Sequence, residues 1–243
     1  MNTTFLVGNG IIEGGWEPVK RAIKETFGSC PEQDPNFAFA NLIYQLRWLH
    51  YHASDRSNES QDTLEARLSK YKELKNNISN EIRKATDSDL MKVRPEFKRS
   101  LDRFARGDTR IATTNWDRLL ERYVDSCVGH PVYIHGNVKH PDSLYLPTET
   151  IEEPYRDKPD SGLHASLAGG LMSVLQTTDR LVVYGLSLSP LDVELGLLIV
   201  GGFHETSLPA EVIVIDPNHA LVTERLHYLG ISTIPNFYEP NSI

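Results

Sequence analysis

Cysteine is scarce: Cys30 and Cys127 are the only two in 243 residues. They are too few for a four-ligand zinc site and lack the spacing of one, and a chain of this length needs no disulfide to stabilise its core. Basic residues are also in deficit. The 25 Lys and Arg against 33 Asp and Glu leave a formal charge of −8, which argues against direct nucleic-acid binding, because contacts to a phosphate backbone need clustered cations. No apolar run approaches the ~20 residues of a membrane span. The first one, FLVG, starts at residue 5, too early for the basic and apolar regions of a signal segment. The chain is therefore expected to be soluble and cytoplasmic, with no membrane partner. Internal repeats and low-complexity tracts are missing too.

What is present is an ordinary globular composition, 40% apolar and 24% charged, expected to fold as one domain over residues 1–243. TTFLVGNGII reads as a strand and a glycine turn, followed by EPVKRAIKETFG, in which Val19, Ala22, Ile23 and Phe27 recur at helical spacing. A helix is expected over 36–51 and a loop over 54–61. From Asp62 to Arg83 the apolar residues Leu64, Leu68, Tyr71, Leu74, Ile78 and Ile82 form a narrow helical stripe that suits either packing or a solvated arm. A further helix near Pro95–Arg106 makes 36–107 an all-helical insertion. Strands and helices then alternate: RIATT, a helix from WDRLLERYVDSC, short β runs in PVYIHG and SLYLP, a helix in SGLHASLAGGLMSVLQ, strand RLVVYGLS, helix LDVELGLLIVGGF, strand AEVIVIDPN, helix HALVTERLHYLG, then ISTIP and a frayed NSI. Strands as apolar as LVVY and VIVI belong in a parallel sheet covered on both faces. The expected fold is α/β, a doubly wound, Rossmann-like parallel sheet.

Open parallel sheets bind ligands beyond the carboxyl ends of their strands. Those ends carry Gly8-Asn9-Gly10, Thr114-Asn115-Trp116-Asp117, His135-Gly136, Gly185-Leu186-Ser187 and Asp216-Pro217-Asn218. Thr114 with Asp117 also fits a capping box for the helix after it. Gly-x-Gly at a strand-to-helix turn lets a diphosphate approach the backbone and the helix N-terminus, although Glu13 stands where the third glycine of the dinucleotide fingerprint would be.

The ordered set GNGI, TTNWD, HG, GLSL and VIDPN resembles the sirtuin family of NAD-consuming enzymes from the first strand to VIDPN, skipping the helical stretch at 36–107, and PVYIHGNV with SLYLPTETIEEPY is similar to that family's histidine segment and the stretch downstream of it. The resemblance implies NAD+ bound as substrate, without a metal. Gly8, Asn9, Gly10, Ile11 and Ser187 would lie at the diphosphate, with Gly185 and Leu186 beside them, Thr114 and Asn115 at the ribose and nicotinamide end, and Asp216 or Asn218 at the adenine ribose. The two cysteine pairs of the zinc ribbon in protein-deacylating sirtuins are absent here. That leaves a likeness to bacterial sirtuin-like proteins that hydrolyse NAD+, often as toxic effectors of phage defence and in some cases beside a hexameric translocase-type ATPase.

Cleaving the nicotinamide–ribose bond needs little acid, because the leaving group is already a pyridinium, so positioning and electrostatics dominate. Asn115 would hold the ribose hydroxyls or the attacking water, and His135 would bond those hydroxyls or act as base, fitting an imidazole near ~6.5. Asp117 would orient the nicotinamide amide or favour the developing positive charge, while Trp116 would anchor the helix. His140, His164, His204 and His219 read as loop or surface residues, Glu149, Glu152 and Glu153 as a solvated loop, and the charges of the insertion as a solvated face. The leading expectation is an NAD+ glycohydrolase that works as a homo-oligomer or with a partner, the 64–82 stripe and the Leu-rich helix at 191–203 being its candidate contacts. The alternatives are a non-catalytic nucleotide sensor and an NAD-dependent deacylase.

Overall fold

The structure is a computed structural model that describes residues 1–31, 35–52, 58–123, 128–150, 152–156, 158–204 and 208–243, with the backbone alone at 58–60 and 158–166. Four apolar central segments and two short edge segments make a six-stranded sheet: β1 (Thr3–Val7), β4 (Thr109–Thr113), β5 (Val132–Tyr133), β6 (Arg180–Tyr184), β7 (Glu211–Ile215) and β8 (Asn236–Tyr238). Every pairing is parallel, in the order β5-β4-β1-β6-β7-β8. Renumbered along the sheet this is 3-2-1-4-5-6, the order of doubly wound dinucleotide-binding folds, whose crevice opens where the winding reverses, between β1 and β6.

Alternate residues of each strand feed two cores. Phe5, Val7, Ile111, Val182, Tyr184, Ile213 and Ile215 face one side, with the buried residues of α1 (Trp16–Phe27), α2 (Asn36–His52), α3 (Asn58–Asp87) and α4 (Pro95–Phe104). Leu6, Ala112, Leu181, Val183, Val212 and Val214 face the other, under α5 (Lys158–Gln176), α6 (Val193–His204) and α7 (His219–Tyr228). The helix boundaries follow local chemistry. Gly28 closes α1 in the left-handed region at φ 79°, and Pro95 opens α4 at its first turn, where its missing N–H leaves nothing unpaired.

The stripe on α3 is buried inside the chain. Tyr71, Leu74, Ile78, Ile82 and Ala85 join the core that holds Phe5 and Val7, and Leu64 and Leu68 pack against it, so these residues are withdrawn from the expected oligomer contact. The insertion is not wholly helical: β3 (Lys92–Val93) pairs antiparallel with β2 (Ile12–Glu13), just after the glycine turn. Of the loop expected over 54–61, residues 54–57 lie outside the described residues and 58–61 are the first turn of α3.

Three other segments depart from expectation. No α-helix starts at Trp116. The chain makes a short 3-10 turn at Leu119–Tyr123, and 124–127, including Cys127, lie outside the described residues. The parallel register of β4 with β1 runs one bond past the strand, so Thr114 N–H donates to the Val7 carbonyl at 3.2 Å and cannot serve a capping box. SLYLP forms no strand. A 3-10 turn at Pro141–Ser143 leads into an irregular run whose Leu144, Tyr145 and Leu146 are buried. The last strand is β8, beyond ISTIP, and the end expected to fray is held by Arg99 Nε, which donates to the Ile243 carbonyl at 2.7 Å.

Candidate functional site

At the reversal point the tips of β1 and β6 touch. Gly8 N–H donates to the Tyr184 carbonyl at 3.1 Å and Gly10 N–H to the Gly185 carbonyl at 2.9 Å. A Cβ on Gly10 would sit 2.5 Å from Gly185 Cα, and Gly185 itself has φ +55°, so two glycines are what this approach requires. The N–H groups of Gly8, Gly10 and Ile11 are thus already bonded within the chain, Ile11 to the Gly8 carbonyl at 3.3 Å. Beyond the glycines opens a cavity of about 220 Å³.

Nine of the candidate catalytic and cofactor-binding residues line that cavity, Asn9, Gly10, Thr114, Asn115, Asp117, His135, Gly185, Leu186 and Ser187, and Trp116 lines it with them. Gly8 and Ile11 are buried beneath it, and the Gly8 carbonyl accepts a bond from Asn115 Nδ2 at 3.3 Å. Asp216 and Asn218 do not reach it. Asp216 turns back to accept Asn218 N–H at 2.7 Å. Between that strand end and the cavity, Arg225 of α7 donates to the Ser187 carbonyl at 2.5 Å.

Asn115 is placed by its backbone as much as by its side chain, since its N–H donates to Thr113 Oγ1 at 3.0 Å. Trp116, expected to anchor a helix, fixes the strand tip instead, since no α-helix starts there. Its Nε1 donates to the Tyr145 carbonyl at 3.1 Å and its ring meets Phe39 edge-on at 5.9 Å. Asp117 closes a tight turn by accepting Leu119 N–H at 2.9 Å, an Asx turn in place of the expected reciprocal cap. It is 3% exposed. Burial pushes its carboxyl up to about 6, against the pull of that N–H bond.

His135 follows β5 and is also buried. Its Nε2 lies 3.0 Å from Asp192 Oδ1. Burial pulls the imidazole down, but Asp192, joined by Glu194 and Glu149, outweighs it and holds the ring above its ordinary value. Asp192 was not a candidate from the sequence, nor were further wall residues such as Trp16, Asn36, Met91, Pro147 and Ser189. In SPLDVELG, Asp192 reads as the cap of an apolar helix, and it is one: Oδ1 accepts Leu195 N–H at 3.3 Å. The signal available was its distance of a few residues from a strand exit.

The segment after His135 is clamped from outside by the insertion. Arg47 pairs with Glu153 and donates to the Thr148 carbonyl at 2.6 Å. Glu149 accepts from Tyr71 at 2.7 Å and from Arg156 at 3.2 Å, and Lys75 reaches Tyr71 at 3.1 Å and the Asp142 carbonyl. Glu149 and Glu153 are therefore buried and paired, contrary to the solvated loop expected of them, while Glu152 is exposed. Arg47 and Lys75 likewise leave the solvated face expected of the insertion's charges.

Chemically the cavity combines amides, hydroxyls, two carboxylates and one imidazole with apolar walls, and among the described residues no Lys or Arg lines it. Among the described residues no group of three His, Cys, Asp or Glu side chains is placed to hold a metal ion. No protein-family model, curated protein or solved structure matches the chain, so function rests on what this site can do.

Proposed function

We propose that the chain is a sirtuin-like NAD+ glycohydrolase that cleaves the nicotinamide–ribose bond to give nicotinamide and ADP-ribose. The observation that carries this reading is that Asn115 and His135, from two different strand ends, face one cavity together with Asn9 and Gly10 at the point where the sheet reverses its winding. The cavity is smaller than the ~300–1,000 Å³ of whole small-molecule sites and fits one end of a dinucleotide. In this reading Asn115 holds the ribose, His135 acts toward the attacking water, and Asp117 faces the nicotinamide amide. Asn9, Ser187 and the start of α1 at Gly15 and Trp16 meet the diphosphate, because the N–H groups of Gly8 and Gly10 are taken.

The proposed setting is NAD+ depletion in antiviral defence, with the chain in a homo-oligomer or beside an ATPase partner. Val193, Leu197 and Val200, the exposed stripe of α6, are the contact that remains for it. The test is nicotinamide release from NAD+ by the purified chain, alone and with an ATPase encoded beside it. Release that falls at least ~10²-fold in Asn115→Ala and in His135→Ala supports the reading. NAD+ binding with no release under either condition replaces it with nucleotide sensing, and release only in the presence of an acylated peptide replaces it with deacylation.

A further inference from the structure

We infer that Asp192 is the positioning residue of His135: it fixes the imidazole as the Nε2–H tautomer and leaves Nδ1 as the nitrogen that takes a proton at the cavity. What Nδ1 acts on rests on the NAD-cleaving reading above, whereas the pairing and the tautomer do not.

The geometry is specific on both sides. An ionised carboxylate can only accept, so at 3.0 Å from Asp192 Oδ1 the Nε2 atom must carry the proton. Among the described residues the ring's hydrogen bond is made through Nε2, and the ring lines the cavity. Asp192 is itself held in place. Its N–H donates to the Ser189 carbonyl at 2.8 Å, its Oδ1 accepts Leu195 N–H at the start of α6, and its side chain is 16% exposed.

Capping alone does not explain this residue, because Ser, Thr or Asn serves that position as well. A carboxylate aimed at a buried imidazole is a separate feature. The pair also spans the site, since His135 follows the edge strand β5 and Asp192 follows β6, with the tips of β4 and β1 between them.

The charges facing His135 come from three directions: Asp192 and Glu194 at the start of α6, Glu149 in the loop after β5, and Asp117 across the cavity. All are acidic, and together they favour a protonated ring. In NAD+ cleavage the C–N bond breaks with its electron pair passing to the pyridinium nitrogen. Water oxygen bonds the ribosyl carbon, and its proton moves to Nδ1 and then to solvent. Asp192 stabilises the imidazolium formed in between and, in the neutral ring that starts the step, keeps the proton on Nε2 so that Nδ1 is the basic nitrogen.

The experiment uses the full chain labelled with 15N-histidine, as wild type, Asp192→Asn and Asp192→Ser, both of which keep a cap for α6, with His135→Gln to assign the signal. The expected wild-type spectrum shows the Nε2–H tautomer and a midpoint above the ordinary ~6.5. In both variants the midpoint drops by about one pH unit. In turnover the variants lose roughly 10²- to 10⁴-fold in kcat with KM for NAD+ little changed, and the acid limb of the kcat profile moves down with the imidazole midpoint. A wild-type Nδ1–H tautomer, an unmoved midpoint in both variants, or wild-type turnover in both overturns the inference. If the tautomer and midpoint behave as stated while wild type releases no nicotinamide, the functional reading fails and the positioning role stands.

Discussion

Asp117 shows what one side chain at this site demands of the fold. Its carboxyl ionises near 6 in the folded chain against 3.8 for the free side chain, so between those values the native state holds a proton that the unfolded state has released. Stability therefore falls as pH climbs through that window, and the full penalty, on the order of 3 kcal/mol for the 2.2-unit difference (6 − 3.8), is present at neutral pH. Asp117→Asn keeps an oxygen for Leu119 N–H and removes the charge. Urea unfolding is expected to show it up to about 3 kcal/mol more stable than wild type at pH 8 and nearly equal at pH 4, and equal stability at both pH values would refute the buried charge. Asn115 and His135 could be singled out from sequence because each follows an apolar strand and no cap or turn there needs it, and Asp117 because it stands two residues beyond Asn115 at the same strand end, although a turn does use it. Asp192 could not, because in sequence an aspartate before VELGLL reads as a helix cap and the imidazole it also meets lies 57 positions away.

At the scale of elements, the clamp around Glu149 is the feature that sequence misread. Charges spaced among polar residues look solvated, and only the tertiary approach of α3 to the 141–156 segment turns Tyr71, Lys75, Glu149 and Arg156 into a buried network, with the Arg156 guanidinium 3.6 Å above the Tyr145 ring. Removing one partner of a buried pair leaves the other charged and unpaired, at about 3–5 kcal/mol, whereas an exposed pair such as Lys98–Asp102 contributes under about 1 kcal/mol. Denaturant unfolding is expected to show Glu149→Ala losing several-fold more stability than Asp102→Ala, and similar losses would mean that the network is solvated. The helices with strong stripes, α1, α2, α3 and α4, and the apolar strands β1, β4, β6 and β7 were legible because their periodicity is local. The 3-10 turn after Asp117 and the irregular SLYLP run were not. A single register bond from Thr114 to Val7 decides the first, and β8, a short edge strand reading NFY, carries too little apolar pattern to be seen.

For the whole molecule, the insertion is part of the fold's interior. Phe39, Leu42, Ile43 and Leu46 of α2 and Tyr71, Leu74, Ile78 and Ile82 of α3 lie in one core with Phe5 and Val7 of the sheet, and Asn36, Ile82 and Met91 wall the cavity. Replacing 36–90 by a short linker is therefore expected to abolish cooperative unfolding in calorimetry, whereas a sharp transition in the shortened chain would make the insertion a separable appendage. A helical insertion at 36–107 was readable from composition, but its depth was not, because an amphipathic stripe looks the same whether it meets its own domain or another.

The place of β1 has a consequence for how the chain comes into being. TTFLV is synthesised ahead of both of its neighbours, which start 106 and 177 positions later (109 − 3 and 180 − 3). Closing such long loops before any reward arrives slows folding and leaves an apolar segment with open edges through much of synthesis. Of the strands in the sheet β1 waits longest for its second neighbour, so a chain stalled before residue 109 carries an unpaired apolar edge that β4 alone can begin to cover.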